Sequence, residues 1–191
     1  MQRFGLFGGS FDPVHLGHLL VAQAALEELK LDRLFFIPAA QSPFKPHNTP
    51  APAADRLRLL RLALAGCPLF EVDTQETERG GVSFTIDTLR EYQGRFPGAG
   101  LSYLIGADHV SSLPKWRGTE ELARLAEFVV ISRPGQAAVA LPEPFRGRSL
   151  TGFPFGVSSS QIRERVKAGQ PIEGLVAPAV AEAIRNSGLY V

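Results

Sequence analysis

The sequence predicts an α/β protein with a mainly parallel, doubly wound sheet of about five strands and a small helical element at the C-terminal end. Three observations carry that reading. Short apolar runs alternate with longer amphipathic ones over the first 135 residues. No window holds the roughly 18 consecutive apolar residues that a membrane span needs. The 191 residues are 45% hydrophobic and 20% charged, a balance that excludes disorder and coiled coil. At about 150 residues per domain this is one domain, read as a core over 1–135 and a C-terminal subregion over 136–191.

The elements follow in order. Arg3 to Phe7 is an apolar run ended by Gly8-Gly9 and reads as a buried strand. Leu16 to Lys30 repeats apolar residues with helical rhythm, and Lys30 suits the negative end of that helix. Arg33 to Pro38 is the second strand. Ala39 to Ala53 is a loop carrying Pro43, Pro46, Pro50 and Pro52, and loops this long are usually functional. Asp55 to Ala65 predicts a helix, Leu69 to Val72 a strand, and Ser83 or Thr85 to about Arg95 a helix stopped by Pro97-Gly98. Leu101 to Ile105 and Glu127 to Ser132 complete the strands, with a helix over Glu120 to Ala126 between them. Beyond Gly135 the chain is rich in proline and glycine, with one strand around Ser149 to Gly152. Helices over Ser159 to Lys167 and Ala177 to Arg185 follow. In such a sheet, ligands bind beyond the strand C-termini where the strand order reverses.

Twenty Lys plus Arg against nineteen Asp plus Glu leave a net charge of +1. That balance predicts no nucleic-acid partner and no membrane partner. The lone Cys67 excludes an internal disulfide and a multi-cysteine zinc site and fits a reducing cytoplasm. The N-terminal MQRFGLFGGSFDP reaches two glycines and an aspartate before a signal-peptide core could form. Self-association stays open.

Two stretches carry chemistry. Gly8 to His18 reads GGSFDPVHLGH and leads from the first strand into the first helix. Gly8 and Gly9 allow backbone to approach a ligand closely, and the helix start offers N–H groups and a positive dipole end to a phosphate. His15 and His18 share one helix face, with Gly17 between them leaving room for a ligand. A metal pair is the weaker reading, since no third ligand stands at the expected spacing. The dinucleotide glycine fingerprint and the Walker run are both absent. Far along the chain, Ser158-Ser159-Ser160-Gln161-Ile162-Arg163 begins with a capping box. It places three hydroxyls and a guanidinium at a helix start, a donor cluster suited to polyphosphate.

GGSFDPVHLGH resembles the N-terminal signature of the nucleotidyltransferases with a His-x-Gly-His motif, and Val157 to Arg163 is similar to their C-terminal signature. Val157 and Ser160 stand where isoleucine and threonine are usual. The resemblance implies a Rossmann-like fold. The stretches Ser83 to Leu89, Leu104 to His109, Leu113 to Trp116 and Ile131 to Gly135 resemble the nicotinate-nucleotide adenylyltransferase family. That resemblance implies transfer of an adenylyl group from ATP to nicotinate mononucleotide, with Mg²⁺ carried by the ATP phosphates and no metal ligand from the protein. It implies His15, His18 and Arg163 as catalytic residues. It implies ATP contacts from Gly8, Gly9, Ser10, Phe11, Gly17, Lys45, Gly106, Asp108, Arg133, Ser158, Ser159 and Ser160. It implies contacts to the nicotinate nucleotide from Asp12, Thr85, Trp116 and Arg117. Lys45 and His47 lie in a stretch whose order departs from the family's, which leaves open which of them meets phosphate. Two other acceptors, nicotinamide mononucleotide and phosphopantetheine, and a non-catalytic nucleotide sensor are the competing readings.

Overall fold

The computed structural model describes residues 1–41, 49–132 and 139–191. Among them six strands form one parallel sheet: β1 (Arg3–Gly9), β2 (Arg33–Pro38), β3 (Phe70–Val72), β4 (Gly100–Gly106), β5 (Glu127–Ile131) and β6 (Gly147–Ser149). Their order is β3-β2-β1-β4-β5-β6, and every pairing is parallel. The helices are α1 (Leu16–Leu29), α2 (Ala53–Leu64), α3 (Gln75–Arg79), α4 (Thr85–Arg95), α5 (Ala107–Val110), α6 (Thr119–Leu125), α7 (Ser159–Lys167) and α8 (Pro178–Ser187). A 3-10 turn spans Leu113–Lys115.

Side chains leave successive strand residues on opposite faces, and two cores result. Leu34 and Phe36 of β2, Leu104 and Val129 pack with residues of α1, α2 and α8 on one face. Phe4, Leu6, Phe35, Ile37, Tyr103, Phe128 and Val130 pack with residues of α4 and α6 on the other. Strands buried on both sides read as continuous apolar runs, so four of the six were visible in the sequence almost to the residue. The C-terminal subregion is woven into the same body, since β6 pairs with β5 and α8 packs on α2.

Three expectations are corrected. The sheet has six strands rather than about five, and the strand expected at Ser149 to Gly152 lies at Gly147–Ser149. Its three residues are all exposed at the sheet edge, so they offer no apolar alternation to read. Gly8 and Gly9 belong to β1 itself, where they pair with Ile37 and Pro38. Helix α3 is only five residues long, too short for periodicity. Strand order reverses between β1 and β4, which places the ligand crevice beyond Gly9 and Gly106.

Candidate active site

The first half of the site is the loop from β1 to α1. His15 is the N-cap of α1 with extended backbone, and its N–H donates to Nδ1 of His18 at 3.2 Å. The two imidazoles stack, with centroids 3.7 Å apart and planes 27° from parallel. Phe11 and Phe7 close around His18 at 5.0 and 5.9 Å. This apolar burial lowers the His15 pKa to about 4. Burial, and then the charge of a protonated His15, push His18 well below its ordinary value. Both rings are therefore neutral at pH 7. Because His18 Nδ1 accepts a hydrogen bond, the ring proton belongs on Nε2, and His18 presents an N–H donor. One nitrogen of the pair, Nδ1 of His18, is already engaged by the His15 N–H. Among the described residues no group of three or more His, Cys, Asp and Glu could hold a metal ion.

A Cβ on Gly17 would lie 3.0 Å from the His15 ring and 3.5 Å from Val157, so its missing side chain also seats His15 and the second motif. The N–H of Leu16 is also occupied, donating to Leu175 O at 2.9 Å.

The second half is the start of α7. Ser158 Oγ accepts from the N–H of Gln161, whose Oε1 accepts in return from the N–H of Ser158, which is the expected capping box. Ser159 Oγ donates to Pro13 O at 2.9 Å. Arg163 Nη1 donates to Asp12 O at 2.7 Å, and Nη2 to Ser160 Oγ at 3.2 Å. The two motifs, about 150 residues apart in the chain, are thus tied directly to each other. A guanidinium carries five N–H donors, so Arg163 keeps others for a ligand. The Ser159 proton, in contrast, is spent on Pro13.

Beside these motifs opens a cleft of about 320 Å³ between the ends of β1 and β4. Gly8, Gly9, Ser10, Thr85, Gly106, Trp116 and Arg117 all line it. Gly8 is required there, because a Cβ would stand 2.7 Å from Tyr103 Oη. Thr85 opens α4, and its Oγ1 donates to Tyr103 Oη at 3.2 Å. Trp116 stands edge-on to Tyr103 and Phe128, and its Nε1 donates to Ser112 Oγ at 3.1 Å. The Arg117 guanidinium lies 5.1 Å above the Phe84 ring.

Some expected residues fall elsewhere. Asp12 is absent from the cleft wall. Its carboxylate is buried, and Oδ1 accepts from Tyr190 Oη at 2.7 Å and from the N–H of Ala51 at 3.2 Å. The Phe11 ring is packed into the core beside Gly9 and His18, which leaves only its main chain for a ligand. Gly106 caps α5, and Asp108 in its first turn is exposed. Lys45, His47 and Arg133 lie outside the described residues.

A model described as cytidylyltransferase-like matches residues 6–165. A probable nicotinate-nucleotide adenylyltransferase of Geobacillus kaustophilus is 43% identical, covering 100% of this chain and 87% of its own. A protein of the same name from Gemmatimonas aurantiaca is 44% identical, covering 99% and 92%. The chain belongs to the nicotinate-nucleotide adenylyltransferases of the cytidylyltransferase-like family. Its fold matches that of the Plasmodium falciparum nicotinic acid mononucleotide adenylyltransferase complexed with NaAD, with a TM-score of 0.83 at 17% identity over 100% of this chain and 98% of the other.

Sequence reasoning on this family member missed Arg56, Glu76, Tyr103 and Tyr190. Arg56 is almost fully buried, and it donates from Nε to Ala51 O and from Nη1 to Ser10 O and Ala39 O. Burial pulls its pKa down, while Asp12 and then Tyr190 oppose that shift. A signal for it existed, because Arg56 falls three and four places before the buried Leu59 and Leu60 and so sits in the apolar phase of its helix. Glu76 lines the cleft and accepts from Thr88 Oγ1 at 2.6 Å, and its burial raises its pKa. The short helix that carries it gave no periodic signal.

Proposed function

We propose that the protein transfers the adenylyl group of ATP to nicotinate mononucleotide, giving deamido-NAD and pyrophosphate in NAD biosynthesis. The observation that carries this reading is the juncture of the two motifs, where Ser159–Pro13 and Arg163–Asp12 contacts hold two donor-rich helix starts beside one aromatic cleft. The family's activity agrees with it.

An oxygen of the acceptor phosphate attacks the α-phosphorus of ATP, and the bond to pyrophosphate breaks. The nucleophile is already ionised at neutral pH, so the protein needs no general base. Its work is alignment and stabilisation of the charge gained by the leaving group. In this reading the neutral His18 donates from Nε2 to a phosphate oxygen, and His15 holds that tautomer. Arg163 and the start of α7 face the leaving pyrophosphate. A divalent ion, Mg²⁺ in this proposal, would be held by the ATP phosphates, where it would supply positive charge against theirs. Gly8 to Ser10 approach the nucleotide with their main chain, and Trp116 stacks on the pyridine ring, whose cationic character favours it. The backbone N–H groups of Thr85 and Arg117 receive the pyridine carboxylate. The setting is the cytoplasm, and no described helix is long and apolar enough to cross a membrane.

The test mixes purified protein, ATP and Mg²⁺ with nicotinate mononucleotide, nicotinamide mononucleotide or phosphopantetheine and follows pyrophosphate release. Nicotinate mononucleotide should be the best acceptor. The amide should be used roughly ten- to two-hundredfold less efficiently, because it leaves one backbone donor facing an NH₂ group. Equal use of acid and amide would sink the substrate assignment.

A further inference from the structure

The carboxylate of Asp12 lies between two guanidinium groups, those of Arg56 and Arg163. Arg163 Nη1 stands 3.8 Å from Oδ2, and the charge of Asp12 supports that of Arg56. Another neighbour is the phenol of Tyr190, which reaches Asp12 Oδ1 from 178 residues away in the chain. Tyr190 carries a left-handed backbone, φ +69°, a conformation that costs a bulky residue energy and persists only where other contacts fix it. The chain pays this cost at its second-to-last described residue, beyond the end of α8. Tyr190 also packs its ring on the core formed with α8.

We propose that Tyr190 is a positioning residue for the reaction, fixing Asp12 so that Asp12 in turn aims the Arg163 guanidinium at the leaving group. The inference rests on the proposed adenylyl transfer. The contacts form one line: Tyr190 Oη donates to Asp12 Oδ1, and the Asp12 carbonyl accepts from Arg163 Nη1 at 2.7 Å. The charged and titratable groups that face the Tyr190 hydroxyl are Asp12, Arg163 and Arg56. Burial first, then the bond to Asp12, raises the pKa of the phenol well above its ordinary value, so the hydroxyl stays a donor throughout the working range. Ala51 adds a second brace. Its N–H donates to the same Asp12 oxygen, and its carbonyl accepts from Arg56 Nε. With the hydroxyl gone, Asp12 keeps this brace but loses its hold from the C-terminal side.

Tyr190→Phe removes one oxygen and keeps the ring. The expected result is a turnover number lower by about tenfold, the equivalent of one charge-assisted hydrogen bond, with the KM for nicotinate mononucleotide nearly unchanged. In an Arg163→Ala background the same substitution should add almost nothing, since the group that it aims is absent. Thermal melting of each variant separates this effect from loss of fold, and Asp12→Ala, which removes the acceptor of the Tyr190 hydroxyl, should share the turnover defect. Normal turnover by Tyr190→Phe, or a full multiplicative loss in the double variant, overturns the proposal. Failure of the wild type to release pyrophosphate with nicotinate mononucleotide would instead overturn the reading on which it rests.

Discussion

The motif juncture, proposed as the phosphate end, and the cleft, proposed for the acceptor, are built on opposite plans. At the phosphate end, polar groups are joined mainly to one another. His15 binds His18, Ser158 binds Gln161, Ser159 binds Pro13, and Asp12 gathers Tyr190, Ala51 and Arg163. In the cleft, rings and single hydroxyls from several separate elements line an open volume of about 320 Å³, and its wall is braced by the Thr85–Tyr103 and Glu76–Thr88 hydrogen bonds and by ring contacts such as that of Trp116 with Tyr103. The difference matches the two tasks. Charge that develops in the transition state is best met by donors that need not move, whereas a substrate ring is gripped by surface. Loss of a phosphate-end group should therefore strike turnover, and loss of a cleft group should strike acceptor binding.

The sharpest break in that comparison is His18→Ala, expected to lower the turnover number by about 10²-fold or more while melting temperature changes little. Near wild-type turnover in stopped-time assays would remove His18 from the chemistry. Next comes Arg163→Ala, with a turnover loss of about tenfold to 10²-fold, because the pyrophosphate gains charge only as its bond breaks. A variant whose sole defect is a raised KM for the nicotinate nucleotide would contradict its placement. On the cleft side, Trp116→Ala should weaken acid and amide acceptors alike by about tenfold, the worth of a stacked, partly desolvated cationic ring. Both share that ring, so steady-state efficiencies should keep their ratio. A ratio that collapses would move selectivity from the Thr85 and Arg117 backbone to the indole.

The smallest effect concerns pH. The folded His15 has a pKa of about 4 against 6.5 for the unfolded group, through burial. As pH falls across that window, the unfolded chain takes up a proton that the folded protein refuses. The stability contributed by this neutral ring is thus complete above 6.5 and is lost toward 4. Melting temperatures across pH 7 to 4.5 should decline more steeply for the wild type than for His15→Asn, and identical slopes would mean that the imidazole is not buried as described.

The same contrast decides what could be read in advance. The cap at Ser158 and Gln161 and the histidine turn before α1 are local devices, and residues three apart declare them. Buried strands such as Phe4 to Phe7 and Phe128 to Val130 declare themselves by apolar continuity. Asp12 was expected at the acceptor because a motif names residues without naming which atoms face the ligand. The structure turns its carboxylate toward the C-terminal segment instead. Tyr190 offered no signal, since its partner is 178 positions away. Arg56 could have been found from its place among the buried leucines of α2, the single polar residue on that face. The exposed edge strand β6 offered no apolar alternation to fix its bounds, and the strand expected from Ser149 overlaps it by one residue.

The link between Pro13 and Ser159, together with the reach from Asp12 to Tyr190, has a consequence for how the protein comes into being on the ribosome. Strands β1 to β5 and the helices among them can assemble as soon as residue 131 has left the exit tunnel, and domains commonly fold as they emerge. The donors proposed to meet the leaving group arrive only with α7, and the Tyr190 brace on Asp12 only after α8. A nascent chain that has built most of its sheet therefore holds the aromatic cleft before α7 brings Ser159 and Arg163 to the loop after β1.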